Sequence, residues 1–270
     1  MIPRDYITAW RKEAPWVQDI QVEQDLIICR ALVAIFTSPL LSKALAFRGG
    51  TALYKLHLKP AARYSEDIDL VQIEAGPAGP IMTALHEALN PWLGQPKTKQ
   101  NEGRVTFTYK FNSDGAPPIP LKLKVEINTR EHFSIFGLHN VPFAVSSPWF
   151  EGKCEILSYQ LDELLGTKMR ALHQRRKGRD LLDLHIALQK EGVSPDRIVE
   201  AFRRYMDHEE NPTTRAMFEK TFAGKLSNAQ FGADIGPLLA PGFKWDMSAA
   251  AENVSKQLIQ RLPGDPWKGV

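Results

Sequence analysis

Alternation of apolar and polar residues with period two runs through the first part of this chain and gives out near residue 157, after which apolar residues recur at helical spacing. In the segment 67–73, Ile68, Leu70 and Gln72 fall on one side and Asp67, Asp69 and Val71 on the other; 104–111 and 121–128 alternate in the same way. A strand points successive side chains to opposite faces of its sheet, so such segments predict strands with one buried face. From Ser158, a candidate helix N-cap, the pattern changes: Leu161, Leu164, Leu165, Met169 and Leu172 define one helical stripe. Helices are expected over 158–174, 180–189, 195–206, 213–222 and 249–262. The sequence predicts an α+β (mixed α/β) fold in two parts, an α/β domain over 1–157 and a helical domain over 158–270.

Within the first part, Val22, Leu26, Cys29, Leu32, Val33 and Phe36 predict a helix that Pro39 closes. A short apolar run at 44–47 is followed by Arg48-Gly49-Gly50-Thr51 and a helix over 52–58 that ends before Pro60, which makes strand, glycine turn and helix in succession. A further helix is expected over 80–93, with Pro80 in its first turn and Pro91 fraying its end. The strands 104–111 and 121–128 form a pair across an irregular loop containing Asn112, Ser113, Asp114, Gly115, Pro117, Pro118 and Pro120. The stretch 135–150 is expected to be extended or irregular, broken by Pro142 and Pro148.

Composition narrows the function classes. A hydrophobic fraction of 43% and a charged fraction of 24% are ordinary for a globular protein and argue against long disorder. A net charge of +3 is too small to mark nucleic-acid binding alone, so the placement of the cations matters more than their sum. Cys29 and Cys154 are isolated and outside any CxxC pair, which argues against a disulfide framework or a zinc site and for two core thiols in a reducing compartment. The seven histidines lack ligand spacing. The first residues, Met1-Ile2-Pro3-Arg4-Asp5, lack a basic stretch followed by an apolar run, and the most apolar segment, 31–41, is too short to span a bilayer. No membrane association is expected, and the cytoplasm is the expected location.

Asp67-Ile68-Asp69 carries the chemistry. Two carboxylates two residues apart on a strand share a face while Ile68 anchors the other. Magnesium prefers carboxylate oxygens, keeps several waters and needs few acids, and phosphoryl or nucleotidyl transfer needs charge on a triphosphate neutralised. Glu126, flanked by Val125 and Ile127, could bring a third carboxylate from a neighbouring strand. Alone, an Asp-x-Asp is common on solvated strands. Its company raises its meaning: Gly49-Gly50-Thr51 precedes a helix, where backbone N–H groups favour phosphate and glycine permits close approach. The turn lacks the GK[ST] ending of a Walker A loop. Between Lys168 and Arg179 stand six Lys and Arg residues and no acid, with Asp180 and Asp183 directly after. That stretch is either a solvated face with Asp180 as an N-cap or a contact for triphosphate or RNA backbone.

The segment from Phe47 to Lys55, the segment Arg63-Tyr64-Ser65-Glu66-Asp67-Ile68-Asp69-Leu70, and Lys168-Met169-Arg170-Ala171-Leu172 with Arg179-Asp180-Leu181-Leu182-Asp183-Leu184 resemble the motifs of the AbiEii/AbiGii toxin family of nucleotidyltransferases, which includes the MenT toxins. The resemblance spans roughly residues 47–184. It implies a polymerase-β-like nucleotidyltransferase core with a mixed sheet, followed by a helical C-terminal half. It implies that Asp67 and Asp69 hold the metal, Mg²⁺ or Mn²⁺, and that Lys168 with Asp180 or Asp183 completes the catalytic set. By the same resemblance Arg48, Gly49, Gly50, Thr51, Lys55, Ser65 and Arg175 meet the NTP. The wider superfamily often has Gly-Ser at the turn; here Gly49-Gly50 stands there, and Thr51 is left to supply a hydroxyl.

The implied function is the toxin of a toxin–antitoxin or abortive-infection pair, an enzyme that transfers nucleotides from NTP to RNA, foremost the 3′ end of tRNA, and so blocks translation. Its expected partners are NTP, RNA and a cognate antitoxin protein. Two other readings fit the residues: nucleotidylation of a protein or small-molecule acceptor, and a non-catalytic module in which the 168–179 cations grip RNA or a partner.

Overall fold

The structure, a computed structural model, describes residues 2–113 and 117–269, so Asp114 and Gly115 of the expected loop lie outside the described residues. The chain divides into two compact units, Met1–Tyr159 and Gln160–Val270.

The first unit begins with helices α1 (Arg4–Trp10), α2 (Asp19–Thr37) and α3 (Leu41–Ala44). Strand β1 (Leu45–Arg48) leads directly into α4 (Gly49–Ala52) and a π-helical turn over Leu53–His57. Then come β2 (Asp67–Gln72), α5 (Gly79–Leu93), β3 (Lys97–Asn101), β4 (Arg104–Asn112), β5 (Pro120–Asn128), β6 (Leu138–Ser146) and β7 (Glu151–Tyr159). The seven strands form one mixed sheet in the order β3-β4-β5-β2-β1-β7-β6. Pairing is parallel for β2 with β5 and for β1 with β7, and antiparallel elsewhere. The expected α+β class with a mixed sheet is what the chain adopts.

Helix α2 exists for the reason its spacing gives: Val22, Leu26, Cys29, Leu32, Val33 and Phe36 are all buried, and α2 packs on β5, β6 and β7. A reciprocal capping box between Gln18 and Gln21 starts it, and Ser38, before Pro39, ends it in extended conformation. One face of the sheet carries the core, with Ile68, Leu70, Phe107, Leu123, Val125 and Ile127 essentially inaccessible. The opposite face of β2, β4 and β5 carries the polar residues that the alternation assigned to it.

Three expectations need correction. Residues 138–146 are a regular strand despite Pro142, because β6 lies at the sheet edge, where a proline's missing N–H costs no central ladder bond. Ser158 is not a helix cap: it belongs to β7, and its hydroxyl donates to the Phe47 carbonyl at 2.8 Å. Pro91 does not fray the preceding helix, which continues to Leu93 and stops at Gly94.

The second unit comprises α6 (Leu161–Gln174), α7 (Gly178–Ala187), α8 (Pro195–His208), α9 (Arg215–Leu226) and α10 (Met247–Gln257), with short 3₁₀ turns at Gly236–Leu238 and Ile259–Arg261. Ser194, Thr214 and Asp246 cap α8, α9 and α10 through their side-chain oxygens. Asp180 is not a cap, since Lys177 occupies that position and Asp180 sits inside the first turn of α7. At the other end of α6, the buried Lys225 ammonium donates to the Leu172 and His173 carbonyls, two of the acceptors a helix C-terminus leaves over. No described helix is long and apolar enough to cross a membrane.

Candidate active site

Asp67 and Asp69 lie on one face of β2, separated along the strand by about 6.6 Å as the rise per residue requires. Parallel pairing with β5 sets Asp67 beside Lys124 and Asp69 beside Glu126; antiparallel pairing with β1 sets Asp69 beside Arg48. Facing partners in register share a sheet face, so two strands and the end of a third gather Arg48, Asp67, Asp69, Lys124 and Glu126 on one patch.

Charge within this patch is ordered. The Glu126 carboxylate meets Lys124 Nζ at 2.7 Å and Arg104 Nε at 3.2 Å. Burial pushes Lys124 down, yet its hydrogen bond to Glu126 and the charges of Asp67 and Asp69 outweigh this and raise it above the ordinary lysine value. Arg48 pairs with Glu131, whose carboxylate more than offsets the burial of the guanidinium. Lys124, Arg104 and Glu131 were not among the expected site residues. For Lys124 the signal was legible, because alternation along 121–128 puts it on the same face as Glu126. For Glu131, distant by 83 residues from Arg48, nothing in the sequence points to the pairing.

The glycine turn sits directly against the second carboxylate. Gly49 has φ +83°, and a Cβ built on it would overlap Asp69 Oδ2 and lie 3.0 Å from Asp69 Cβ and Cγ. Glycine is therefore required twice over, by backbone conformation and by the space that the Asp69 carboxylate occupies. Gly50 is buried in the first turn of α4, where backbone N–H groups have no intrahelical acceptor. Thr51 is turned inward: its hydroxyl donates to the Asp67 carbonyl and lies 2.9 Å from Ser65 Oγ. The hydroxyl that the turn was expected to offer a phosphate instead ties the turn to the carboxylate strand.

Lys55 has a partner within the same unit. Its ammonium sits 2.7 Å from both oxygens of Asp25, which also accepts from the indole N–H of Trp10 at 2.9 Å and of Trp16 at 3.2 Å. Lys55, Asp25, Thr51, Tyr54 and Ser65 line a cavity of about 480 Å³. Cys29 borders it as well; burial pushes its thiol up to about 12, so it stays protonated. Among the described residues no three His, Cys, Asp or Glu side chains are grouped so as to hold a metal ion. The two carboxylates of β2, on one sheet face with the glycine turn packed against Asp69, nonetheless suit a cation that needs only one or two protein carboxylates and completes its shell with water and phosphate.

In the helical unit, Lys168 of α6 lies 3.3 Å from Asp180 and 3.0 Å from Asp183 of α7. All three are buried, the two aspartates completely. Arg175 grips Asp180 with two parallel hydrogen bonds, Nε at 2.7 Å and a terminal nitrogen at 2.8 Å. Burial pushes the Asp180 carboxyl up, but Lys168 and Arg175 outweigh it and hold it below the ordinary value. The expected residues Lys168, Arg175, Asp180 and Asp183 thus form one cluster across two consecutive helices.

Comparison with known proteins supplies the family. Among curated proteins none matches this sequence. Among solved structures, the fold is similar to MenT4, a nucleotidyltransferase toxin from Mycobacterium tuberculosis H37Rv, with TM-score 0.68 and 16% identity over 98% of this chain and 92% of that one. It is also similar to JHP933 from Helicobacter pylori, with TM-score 0.53 and 14% identity over 90% of this chain and 91% of that one. The family model described as nucleotidyl transferase AbiEii toxin, type IV TA system, matches residues 30–253, a span that includes the carboxylate strand, the glycine turn and the Lys168 cluster. The chain belongs to the AbiEii family of nucleotidyltransferase toxins of type IV toxin–antitoxin systems.

Proposed function

We propose that the protein transfers a nucleotidyl group from an NTP to the 3′ end of an RNA, foremost a tRNA, at a magnesium-dependent site built on Asp67 and Asp69, and thereby blocks translation. The observation that carries this reading is the contact between the glycine turn and the carboxylate strand, where the absence of a Cβ at Gly49 lets the Asp69 carboxylate pack directly against the turn. Phosphate-binding backbone and cation-binding acids are thereby adjacent by construction.

In the reaction, the 3′ hydroxyl oxygen of the acceptor bonds to the α-phosphorus of the NTP, the bond from that phosphorus to the pyrophosphate oxygen breaks, and pyrophosphate leaves. A divalent cation held at the two aspartates would supply charge neutralisation on the phosphates and ease loss of the hydroxyl proton to water. Asp67 and Asp69 would hold it, and manganese, with the same oxygen preference, would serve in magnesium's place. We assign Glu126 to Lys124 and Arg104, whose cations already take its oxygens, in preference to a place as third ligand. The first-turn backbone at Gly49 and Gly50 receives phosphate oxygens. Arg48 adds a cation beside Asp69. Thr51 and Ser65 position the turn, and with Lys55 they border the recess beside it.

Lys168, Asp180, Asp183 and Arg175 keep the catalytic and nucleotide-binding assignments that the family motif gives them, held within the helical unit as one ion-paired cluster in which Arg175 grips Asp180. The proposed location is the cytoplasm, where NTP and tRNA are, and the proposed partner in restraint is a cognate antitoxin. Incubation with labelled NTP, Mg²⁺ and a mixture of total tRNA and cell protein tests the acceptor. Label that ribonuclease removes and protease leaves is the expected result. Label that only protease removes would transfer the function to a protein acceptor.

A further inference from the structure

The sheet face that carries Asp67 and Asp69 continues across three more strands to the edge of the sheet, and its character there is strongly basic. Register fixes which residues share it. Lys124 and Thr108 continue the Asp67 row to Lys97; Glu126 and Thr106 continue the Asp69 row to Lys99. Arg104 lies opposite Asn128, and Lys110 opposite Lys122, on the same face. Lys97, Lys99, Arg104, Lys110 and Lys122 are exposed and Lys124 is half-buried. Among the described residues of β3, β4 and β5, Glu126 is the one acid on this face, and it is already paired with Lys124 and Arg104.

Protection of an open edge explains a lysine or two on β3. It does not explain Arg104, Lys110, Lys122 and Lys124, which stand on interior strands, nor why the other face of β3 carries the uncharged Thr98 and Gln100. The cations are sorted to the side of the carboxylates. From β2 to β3 is three strand spacings, about 14 Å, a run that several consecutive phosphates of a nucleic-acid strand can occupy.

We infer that this face is the track for the acceptor: the phosphodiester backbone of an RNA strand lies across β3, β4 and β5 on Lys97, Lys99, Arg104, Lys110, Lys122 and Lys124, with its 3′ end directed to Asp67 and Asp69. The inference rests on the reading of RNA as acceptor and adds where the RNA runs. Hydroxyls of Thr106 and Thr108 and the amides of Asn101 and Asn128 on the same face offer neutral hydrogen bonds to sugar and phosphate without selecting a base. A backbone track of this kind predicts binding that is salt-sensitive and tolerant of sequence.

The test uses the full chain without NTP and a fluorescent single-stranded RNA, with affinity measured against salt concentration. The double substitution Lys97→Gln/Lys99→Gln, remote from the carboxylates, should weaken binding at least about fivefold and reduce the salt slope by about 1.4, about 0.7 for each lost phosphate contact. Lys97→Arg/Lys99→Arg should bind as the wild type does. In the transfer reaction the Gln variant should raise the KM for RNA and leave the KM for NTP unchanged. Unchanged affinity and slope in the Gln variant, while the wild type still labels RNA, would overturn the track and leave the acceptor reading standing. Absence of RNA labelling by the wild type would remove the acceptor reading itself. Loss of binding to polyglutamate with RNA affinity intact would give the face to an acidic protein and overturn the inference.

Discussion

Gly49 is the residue on which the site's geometry turns. Its φ of +83° and the overlap of an added Cβ with the Asp69 carboxylate act together, so Gly49→Ala meets both penalties. The left-handed conformation alone costs about 1–2 kcal/mol, and relief of the overlap must move Asp69. Gly49→Ala is expected to lower the urea midpoint modestly and to reduce nucleotidyl transfer by at least about a hundredfold, the scale of losing a positioned electrostatic group. Parallel unfolding and transfer assays check it; full activity in a folded Gly49→Ala protein would contradict the account. Thr51 acts one step further back. Thr51→Val removes the hydroxyl that joins Ser65 to the Asp67 carbonyl, with an expected cost of about 1 kcal/mol in unfolding free energy and a smaller fall in transfer than at Gly49. Legibility at this scale was uneven. Asp67, Asp69 and the two glycines stood out because spacing is local. That Lys55 answers to Asp25, and Arg48 to Glu131, was hidden because those contacts join residues 30 and 83 positions apart.

The carboxylate strand and its neighbours were readable as elements wherever one face is buried. β2, β4 and β5 alternate because their inner residues pack against the core. β3, Lys97–Asn101, was not expected at all: an edge strand exposed on both faces has no apolar residue through which period two could show. β6 was hidden by Pro142, and β7 by a first half with no buried residue, its buried positions Ile156, Ser158 and Tyr159 all falling in the second half. The α6–α7 pair makes a prediction of its own. Lys168 stands between two fully buried aspartates, so Lys168→Met leaves buried charge uncompensated and should destabilise the protein by about 3–5 kcal/mol. Addition of Asp183→Asn should restore part of that loss, a coupling that urea unfolding of the single and double variants measures. The lowered pKa of Asp180 has a signed consequence. Above the ordinary carboxyl value of 3.8 its charge contributes stability; as pH falls below that, the unfolded chain takes up the proton first and the contribution is lost. The stability gap between wild type and Asp180→Asn should therefore shrink as pH falls from about 6 to about 3. A gap constant over that range would contradict the assignment.

For the molecule as a whole, the change of periodicity near residue 157 carried the fold class, because a sheet with one polar face and a set of amphipathic helices leave different spacings in the sequence. Membership of the AbiEii family makes the chain a nucleotidyltransferase toxin. The chemistry of that class demands acids for a cation and backbone for phosphates in one place, the roles proposed here for Asp67, Asp69 and the Gly49-Gly50 turn that packs against them. The same sheet face then offers the acceptor its path, with carboxylates at its centre and lysines toward its edge. The proposed chemistry depends on the two aspartates acting as the catalytic centre. The most direct test is the initial rate of label transfer from NTP by the wild type and by Asp67→Asn, both shown to be folded, with and without a chelator. The expected result is transfer by the wild type that the chelator abolishes and a rate for Asp67→Asn lower by at least about a hundredfold. Equal rates for the two proteins would contradict it.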